Sequence, residues 1–198
     1  YSQAGTPVLQ ATGQYDAQAR RYTLTLSQSC PATPGQPHKA PLVIPVRLGL
    51  VGADGRELPL TLSQGELLHG DTCVLTEPQT TLVFSEVDQP PVPSLLRGFS
   101  APVELRGLDA DEQLLHLLAH DSDPFNRWDA GQRLGVRIAL ENIAAGADQV
   151  SARPLKDSYL QALRAVLRQP QLDPAFKALV LKLPDEDYIA DQLDVVDP

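Results

Sequence analysis

Two histidines stand four residues apart in His116-Leu117-Leu118-Ala119-His120, and on a helix that spacing puts both imidazoles on one face. A pair so placed can share a zinc ion, as in the His-Glu-x-x-His arrangement, where the Glu activates the zinc-bound water. Here the Glu position holds Leu117, which cannot accept a proton, and the residue nineteen beyond His120, where a third ligand would stand, is Ala139. The two histidines therefore read as neighbours on a helix face, with His120 close to a helix C-terminus, where the dipole favours a cation. Just beyond them Asp121, Asp123, Asn126 and Asp129 supply oxygen ligands of the kind calcium takes. Counted from Asp121, however, the sixth residue is Asn126 and the twelfth is Gln132, where a calcium loop needs Gly and Glu. Capping and junction hydrogen bonds are the favoured use of these side chains. His38 and His69 lie in loops without Cys or carboxylate at ligand spacing and are expected at the surface. The sequence carries no Gly-rich phosphate loop, and the reading assigns no catalytic, cofactor-binding or metal-binding residue in this chain.

The elements that would position these side chains change character near residue 107. Before it, Arg21–Ser27 alternates apolar and polar residues, the period of a strand with one buried face. Leu42–Val51 is a second strand region, and Pro45 within it implies an edge or a bulge. Ala53-Asp54-Gly55 is a turn, after which Arg56–Leu62 is expected to return as the second arm of a hairpin. Thr72–Glu77, Thr80–Val87, Ser94–Ser100 and Pro102–Arg106 continue the series, giving about seven strands and predicting an antiparallel β-sandwich over residues 1–106. Two Pro-rich stretches, Cys30–Pro41 and Pro90-Pro91-Val92-Pro93, read as stiffened connections; polyproline-type ligands for a partner are the alternative.

From residue 107 to 198 the pattern is helical. Asp109-Ala110-Asp111-Glu112 has capping-box spacing before Leu114, Leu115, Leu117 and Leu118, and this helix is expected to end near His120. Asp123-Pro124 is an N-cap followed by Pro at the first helical position, opening a helix to about Ala145-Gly146. Trp128, Gly131, Gly135 and Ile138 share one of its faces, and the glycines there would admit a close neighbour. If that face is buried, losing the Trp128 ring is expected to cost several kcal/mol. Three shorter helices follow: one carries Tyr159, Leu160, Leu163, Val166 and Leu167; the next starts at Asp173-Pro174; the last starts at Pro184-Asp185-Glu186 and carries Ile189, Ala190, Leu193 and Val196. Helices this short do not persist alone and are expected to stack as an array, leaving apolar surface uncovered where the array stops.

Composition narrows the class. Net charge is −9 over 198 residues. Residues 1–106 hold seven Lys and Arg against nine Asp and Glu, a balance of −2, and residues 107–198 hold nine against sixteen, a balance of −7. Neither half offers the basic patch that nucleic acid or an anionic membrane requires, so neither is an expected partner. No apolar run reaches the ~18–20 residues of a membrane span, and no basic-then-apolar start marks a signal peptide. The absence of Met leads us to expect a piece cut from a longer polypeptide, with proteolytic maturation as the rival explanation. Cys30 and Cys73 do not form a disulfide framework; free thiols of a reducing compartment are the favoured reading, and a bridge would need Cα atoms within ~7 Å.

Several stretches resemble bacterial aminopeptidase N, the alanyl aminopeptidase family of gluzincin metallopeptidases. They are Tyr1–Pro7, Leu26–Gln28, Ala32–Gln36, Pro91–Val103, Asp121–Gln132 and the helix start Asp173-Pro174-Ala175. The resemblance implies an Ig-like antiparallel β-sandwich (residues 1–106) followed by the first helices of an α-helical superhelix (residues 107–198), the third domain and the start of the fourth in family enzymes. It implies a cytoplasmic parent that uses zinc to remove N-terminal amino acids from peptides. The family's zinc ligands and general base have no matching positions here, so the segment is expected to hold no cofactor and to be inactive alone, a scaffold joining the catalytic domain to the helical domain that encloses the substrate chamber. Its implied partners are those two domains. A free-standing Ig-like protein-binding module with Pro-rich loops is the alternative.

Overall fold

The computed structural model describes residues 3–146 and 156–193. The chain divides into two compact units, Tyr1–Gln113 and Leu114–Pro198.

The first unit is a β-sandwich with nine strands among the described residues: β1 (Val8–Asp16), β2 (Arg21–Ser29), β3 (Ile44–Val51), β4 (Glu57–Leu58), β5 (Leu62–Gln64), β6 (Thr72–Leu75), β7 (Gln79–Phe84), β8 (Val92–Leu95) and β9 (Glu104–Arg106). One sheet runs β5-β7-β2-β1-β9; in the other, β3 pairs with β4, β6 and β8. Alternation works as expected in β2, where Tyr22, Leu24 and Leu26 are buried and the residues between them are not. Leu9 and Ala11 of β1, Ile44, Val46, Leu48 and Leu50 of β3, Leu75, Leu82 and Phe84 complete the core between the sheets.

Several strand expectations are corrected. β1 has no counterpart in the sequence reading, because its inward positions after Leu9 are Ala11 and Gly13, too small to register as an apolar stripe. It pairs antiparallel with β2 over Val8–Asp16, and parallel with β9, so the sandwich is not wholly antiparallel. The expected arm Arg56–Leu62 is two strands in different sheets: Glu57–Leu58 pairs with β3 and Leu62–Gln64 with β7. Pro59 lies between them, where its missing N–H ends the first ladder and the chain crosses over. The expected strand Ser94–Ser100 stops at Leu95 and becomes a 3₁₀ turn at Arg97–Phe99, with Leu96, Gly98 and Phe99 all at positive φ. Pro93, expected in a turn, lies inside β8 opposite Leu50. Pro45 lies in the half of β3 that pairs with β6 alone, a one-sided stretch where a missing donor is tolerated.

The second unit is helical. Its described helices are α1 (Asp111–His120, which begins just before the division), α2 (Pro124–Ala145), α3 (Asp157–Arg168), α4 (Pro174–Leu181) and α5 (Glu186–Ala190). The two Asp-Pro starts behave as expected. Asp123 caps α2 by accepting from Asn126 N–H at 2.9 Å, and Asp173 caps α4 by accepting from Ala175 and Phe176 N–H at 2.7 and 3.2 Å. Gly146 ends α2 at φ 86. At α1, Gln113 Oε1 accepts from Ala110 N–H at 3.3 Å, so a capping contact forms one residue later than the Asp109–Glu112 spacing implied. α2 packs against α4 and α5, and α3 against α4. The last helix is shorter than expected: Leu193 lies beyond it, and Val196 is outside the described residues.

Candidate functional site

α1 carries His116 and His120 with ring centroids 4.9 Å apart and planes tilted by 44°, so the spacing does bring the imidazoles together on one face. His116 is half-buried and His120 exposed. The acidic cluster that follows is spent on backbone and arginine. Asp121 Oδ1 accepts from Asp123 N–H at 3.0 Å, Asp123 caps α2, and Asp129 stands 3.9 Å from Arg133 one turn on. Burial pushes the Asp129 carboxyl up, and Arg133 pulls it partly back. Among the described residues, no group of three or more His, Cys, Asp or Glu side chains is placed to hold a metal ion. His38 and His69 are exposed.

The polar centre of this unit is a residue that the sequence reading passed over. Arg127, on α2, is 4% exposed. Its Nη1 donates to Gln169 Oε1 at 3.0 Å, and its Nη2 donates to Ala119 O at 3.1 Å. Gln169, the C-cap of α3, donates from Nε2 to the same Ala119 carbonyl at 2.8 Å, closing a triangle. Ala119 O is one of the last carbonyls of α1, which has no later helical N–H to accept from, so a side chain from the next helix and one from the end of α3 satisfy it. Burial lowers the Arg127 pKa, and the Asp121 carboxylate opposes that shift. Asp121 is itself 1% exposed, so the α1–α2 corner encloses opposite charges that compensate one another. No local pattern marks this set, because Gln169 lies 42 residues from Arg127 and 50 from Ala119.

Around that centre the glycines of α2 act as expected. A Cβ on Gly131 would lie 3.2 Å from Leu118 Cδ1, and one on Gly135 would lie 2.9 Å from Pro184 Cδ. α1 and the chain entering α5 therefore approach this face more closely than alanine would comfortably admit. Tyr159 reaches from α3 to donate to Gly131 O at 3.4 Å. Gly131, Gly135 and Ile138 are buried, but Trp128 is only half-buried, packed on Phe125 with ring centroids 5.9 Å apart. The cost expected for losing a buried Trp therefore does not apply in full. Leu167, Leu179, Leu181, Leu183 and Tyr188 are exposed, so the helical unit presents apolar surface. A groove of about 380 Å³ between α2 and α5 is lined by Arg133, Val136, Arg137, Leu140 and Tyr188 among others.

In the sandwich, Cys30 and Cys73 are free thiols, and burial pushes the Cys73 thiol up. The Pro-rich stretch Cys30–Pro41 folds back on itself: Thr33 and Gln36 exchange backbone hydrogen bonds of 2.8 and 3.2 Å around Pro34-Gly35. Gln28 holds Leu42 beyond it with its side-chain amide: Oε1 accepts from Leu42 N–H at 2.7 Å and Nε2 donates to Leu42 O at 2.8 Å. That arrangement is a stiffened connection. No described helix is long and apolar enough to cross a membrane.

Comparison with known proteins bears on both units. Residues 5–107 match a family described as a domain of unknown function (DUF3458) with an Ig-like fold, and residues 111–198 match its companion DUF3458_C, described as ARM repeats. The sandwich followed by stacked helices is thus the Ig-like and helical-repeat order that the sequence reading expected. All 198 residues align with proteins named aminopeptidase N: 38% identical in Escherichia coli (strain K12), 37% in Haemophilus influenzae and 41% in Caulobacter vibrioides. The resemblance to aminopeptidase N therefore holds over the whole chain. The chain spans only 21–22% of the length of these curated relatives. Among solved structures, aminopeptidase A of Legionella pneumophila in complex with aspartic acid superposes with a TM-score of 0.75 at 22% identity, over 98% of this chain and 20% of that one.

Proposed function

The chain belongs to the Ig-like DUF3458 family, and from that membership we propose that it is a non-catalytic structural segment of a larger zinc-dependent aminopeptidase. The parent removes N-terminal amino acids from peptides in the cytoplasm. Residues 1–106 form the Ig-like domain, residues 107–198 open the helical domain, and the segment links a catalytic domain to the helices that enclose the substrate chamber. Zinc belongs to the catalytic domain. The observation that carries this reading is the 37–41% identity to aminopeptidase N over every residue of a chain that spans about a fifth of those proteins. The described geometry fits a scaffold: charged groups are engaged in caps and in the Arg127 triangle, while Leu179 and Leu183 offer apolar surface to further helices. The free-standing binding module has less support, since its Pro-rich loop is tied back by Thr33 and Gln36.

The test is direct. The purified 198-residue chain is expected to bind no stoichiometric zinc and to leave aminoacyl p-nitroanilides uncleaved, and to co-purify with a separately expressed catalytic domain of an aminopeptidase N. Zinc-dependent hydrolysis by the chain alone would overturn the assignment.

A further inference from the structure

The loop Cys30–Pro41 contains Pro31, Pro34, Pro37 and Pro41, and a lysine stands at the centre of the hydrogen bonds that close it. Lys39 Nζ donates to Gln36 Oε1 at 2.6 Å, to Thr33 Oγ1 at 2.7 Å and to Ala4 O at 2.8 Å. An ammonium has three N–H groups, and all three are used here. Two acceptors belong to the loop itself; the third belongs to the segment that leads into β1. Gln36 Oε1 also accepts from Ala4 N–H at 2.8 Å, and Gln3 binds Ala40 through Oε1 at 2.7 Å and Nε2 at 3.1 Å. The three acceptors around Nζ are neutral, and no described carboxylate forms an ion pair with Lys39. The cage therefore depends on the attraction of one positive charge for oxygen dipoles, the strong class of hydrogen bond. Without that charge, Thr33 Oγ1, Gln36 Oε1 and Ala4 O lose their shared donor, and the closure is left to the neutral bonds of Gln36 to Ala4 N–H and of Gln3 to Ala40.

The same closure packs against the half-buried Cys30 thiol. Gly5, at φ 96, turns the chain so tightly against the loop that a Cβ there would lie 3.3 Å from both Cys30 Sγ and Thr33 Cγ2. Cys30 Sγ is 3.7 Å from Ala4 O, the carbonyl that Lys39 also holds. The prolines stiffen the loop, so it moves as a strap rather than fraying residue by residue. The sandwich core begins beyond it, at Leu9 and Ile44, so the strap can lift without disturbing that core.

We propose that Lys39 is a charge-operated latch that closes the Pro-rich strap Cys30–Pro41 over residues 3–5 and controls access to the Cys30 thiol. Removing the charge opens the strap locally, and Cys73, buried between the sheets, serves as an internal reporter of global opening.

The experiment is a timed pulse of N-ethylmaleimide on the full-length chain that carries this segment, followed by peptide mass spectrometry of Cys30 and Cys73. Lys39→Gln and Lys39→Met are compared with wild type and with Lys177→Gln, a lysine on α4 of the helical unit. Both Lys39 variants are expected to raise the Cys30 labelling rate at least roughly fivefold while Cys73 and the Lys177→Gln control stay at wild-type rates. Gly5→Ala, strained at positive φ and crowded against Cys30, is expected to do the same through the other side of the latch. A smaller rise in both Lys39 variants overturns the latch. So does a rise at Cys73 in step with Cys30, because that pattern reports unfolding of the whole sandwich.

Discussion

Gly13 and Tyr22 meet inside the five-stranded sheet at a distance that leaves room for no side chain. A Cβ on Gly13 would lie 2.7 Å from Tyr22 Cζ and closer still to the hydroxyl, and Tyr22 is buried against Phe84 with ring centroids 6.5 Å apart. Gly13→Ala is therefore expected to cost about 1–3 kcal/mol, measured by urea unfolding, because the ring has nowhere to move. Tyr22→Phe removes the nearest atom, so the double variant is expected to lose less than the two single losses combined, by about 0.5 kcal/mol or more. Additivity would show that the ring shifts freely. The same burial raises the pKa of Tyr22, as it does those of Tyr159 and Cys73. A group whose folded pKa lies above its unfolded value contributes stability that is complete below the unfolded pKa and lost as pH rises through the folded one. Stability is thus expected to fall above about pH 8.5 from the thiol and more steeply above about pH 10 from the phenols, by up to ~1.4 kcal/mol per pH unit per group. Melting curves of Tyr22→Phe should fall less between pH 10 and 12 than those of wild type; an identical slope would mean that the phenol ionises freely in the native state.

At the scale of elements, caps and corners hold the helical unit. The Arg127 triangle joins the end of α1, the first turn of α2 and the C-cap of α3 in one buried set, so three elements depend on one guanidinium. Arg127→Met keeps much of the volume but leaves the Asp121 charge without its compensating cation, and is expected to cost about 3–5 kcal/mol. Gln169→Leu, which removes one charge-assisted and one neutral hydrogen bond but leaves Asp121 opposite Arg127, is expected to cost less, about 2 kcal/mol. Circular-dichroism melts check both, and equal losses would refute the assignment of Arg127 as the dominant partner. The effect should be little changed by salt, since screening acts weakly on buried charges. β4 and β5 teach a related lesson: two strands separated by Pro59 serve opposite sheets, and the short link between them ties the sandwich layers together.

For the whole molecule, the apolar surface of the helical unit is the feature with consequences. Leu179 and Leu183 are about half exposed, and serine at either position is expected to change the stability of the 198-residue chain by less than ~0.5 kcal/mol. Under the proposed function, further helices of the parent cover that face, and the same substitutions in the full-length enzyme are expected to cost about 2 kcal/mol or more. Equal small effects in both settings would show that this face stays open and would count against the scaffold role.

What the sequence determined by itself was whatever could be read within one or two turns of chain. Asp123-Pro124 and Asp173-Pro174 start helices because a carboxylate reaches N–H groups two or three residues ahead, and β2 alternates because its inward residues are large and apolar. The change from strands to helices and the resemblance to aminopeptidase N were legible in the same way. Tertiary structure alone decided the rest. β1 is hidden in the sequence because Gly13 makes space for a ring that only the folded sheet brings there. The parallel pairing of β1 with β9 joins opposite ends of the sandwich sequence. Arg127 and Lys39 look like ordinary surface cations until acceptors 42 and 35 residues away close around them. His116 and His120 met on one face as their spacing required, yet Asp121, which follows them, is engaged with backbone at the α1–α2 corner. Periodicity reports which face of an element is apolar; which distant groups that face will meet is decided by the packing.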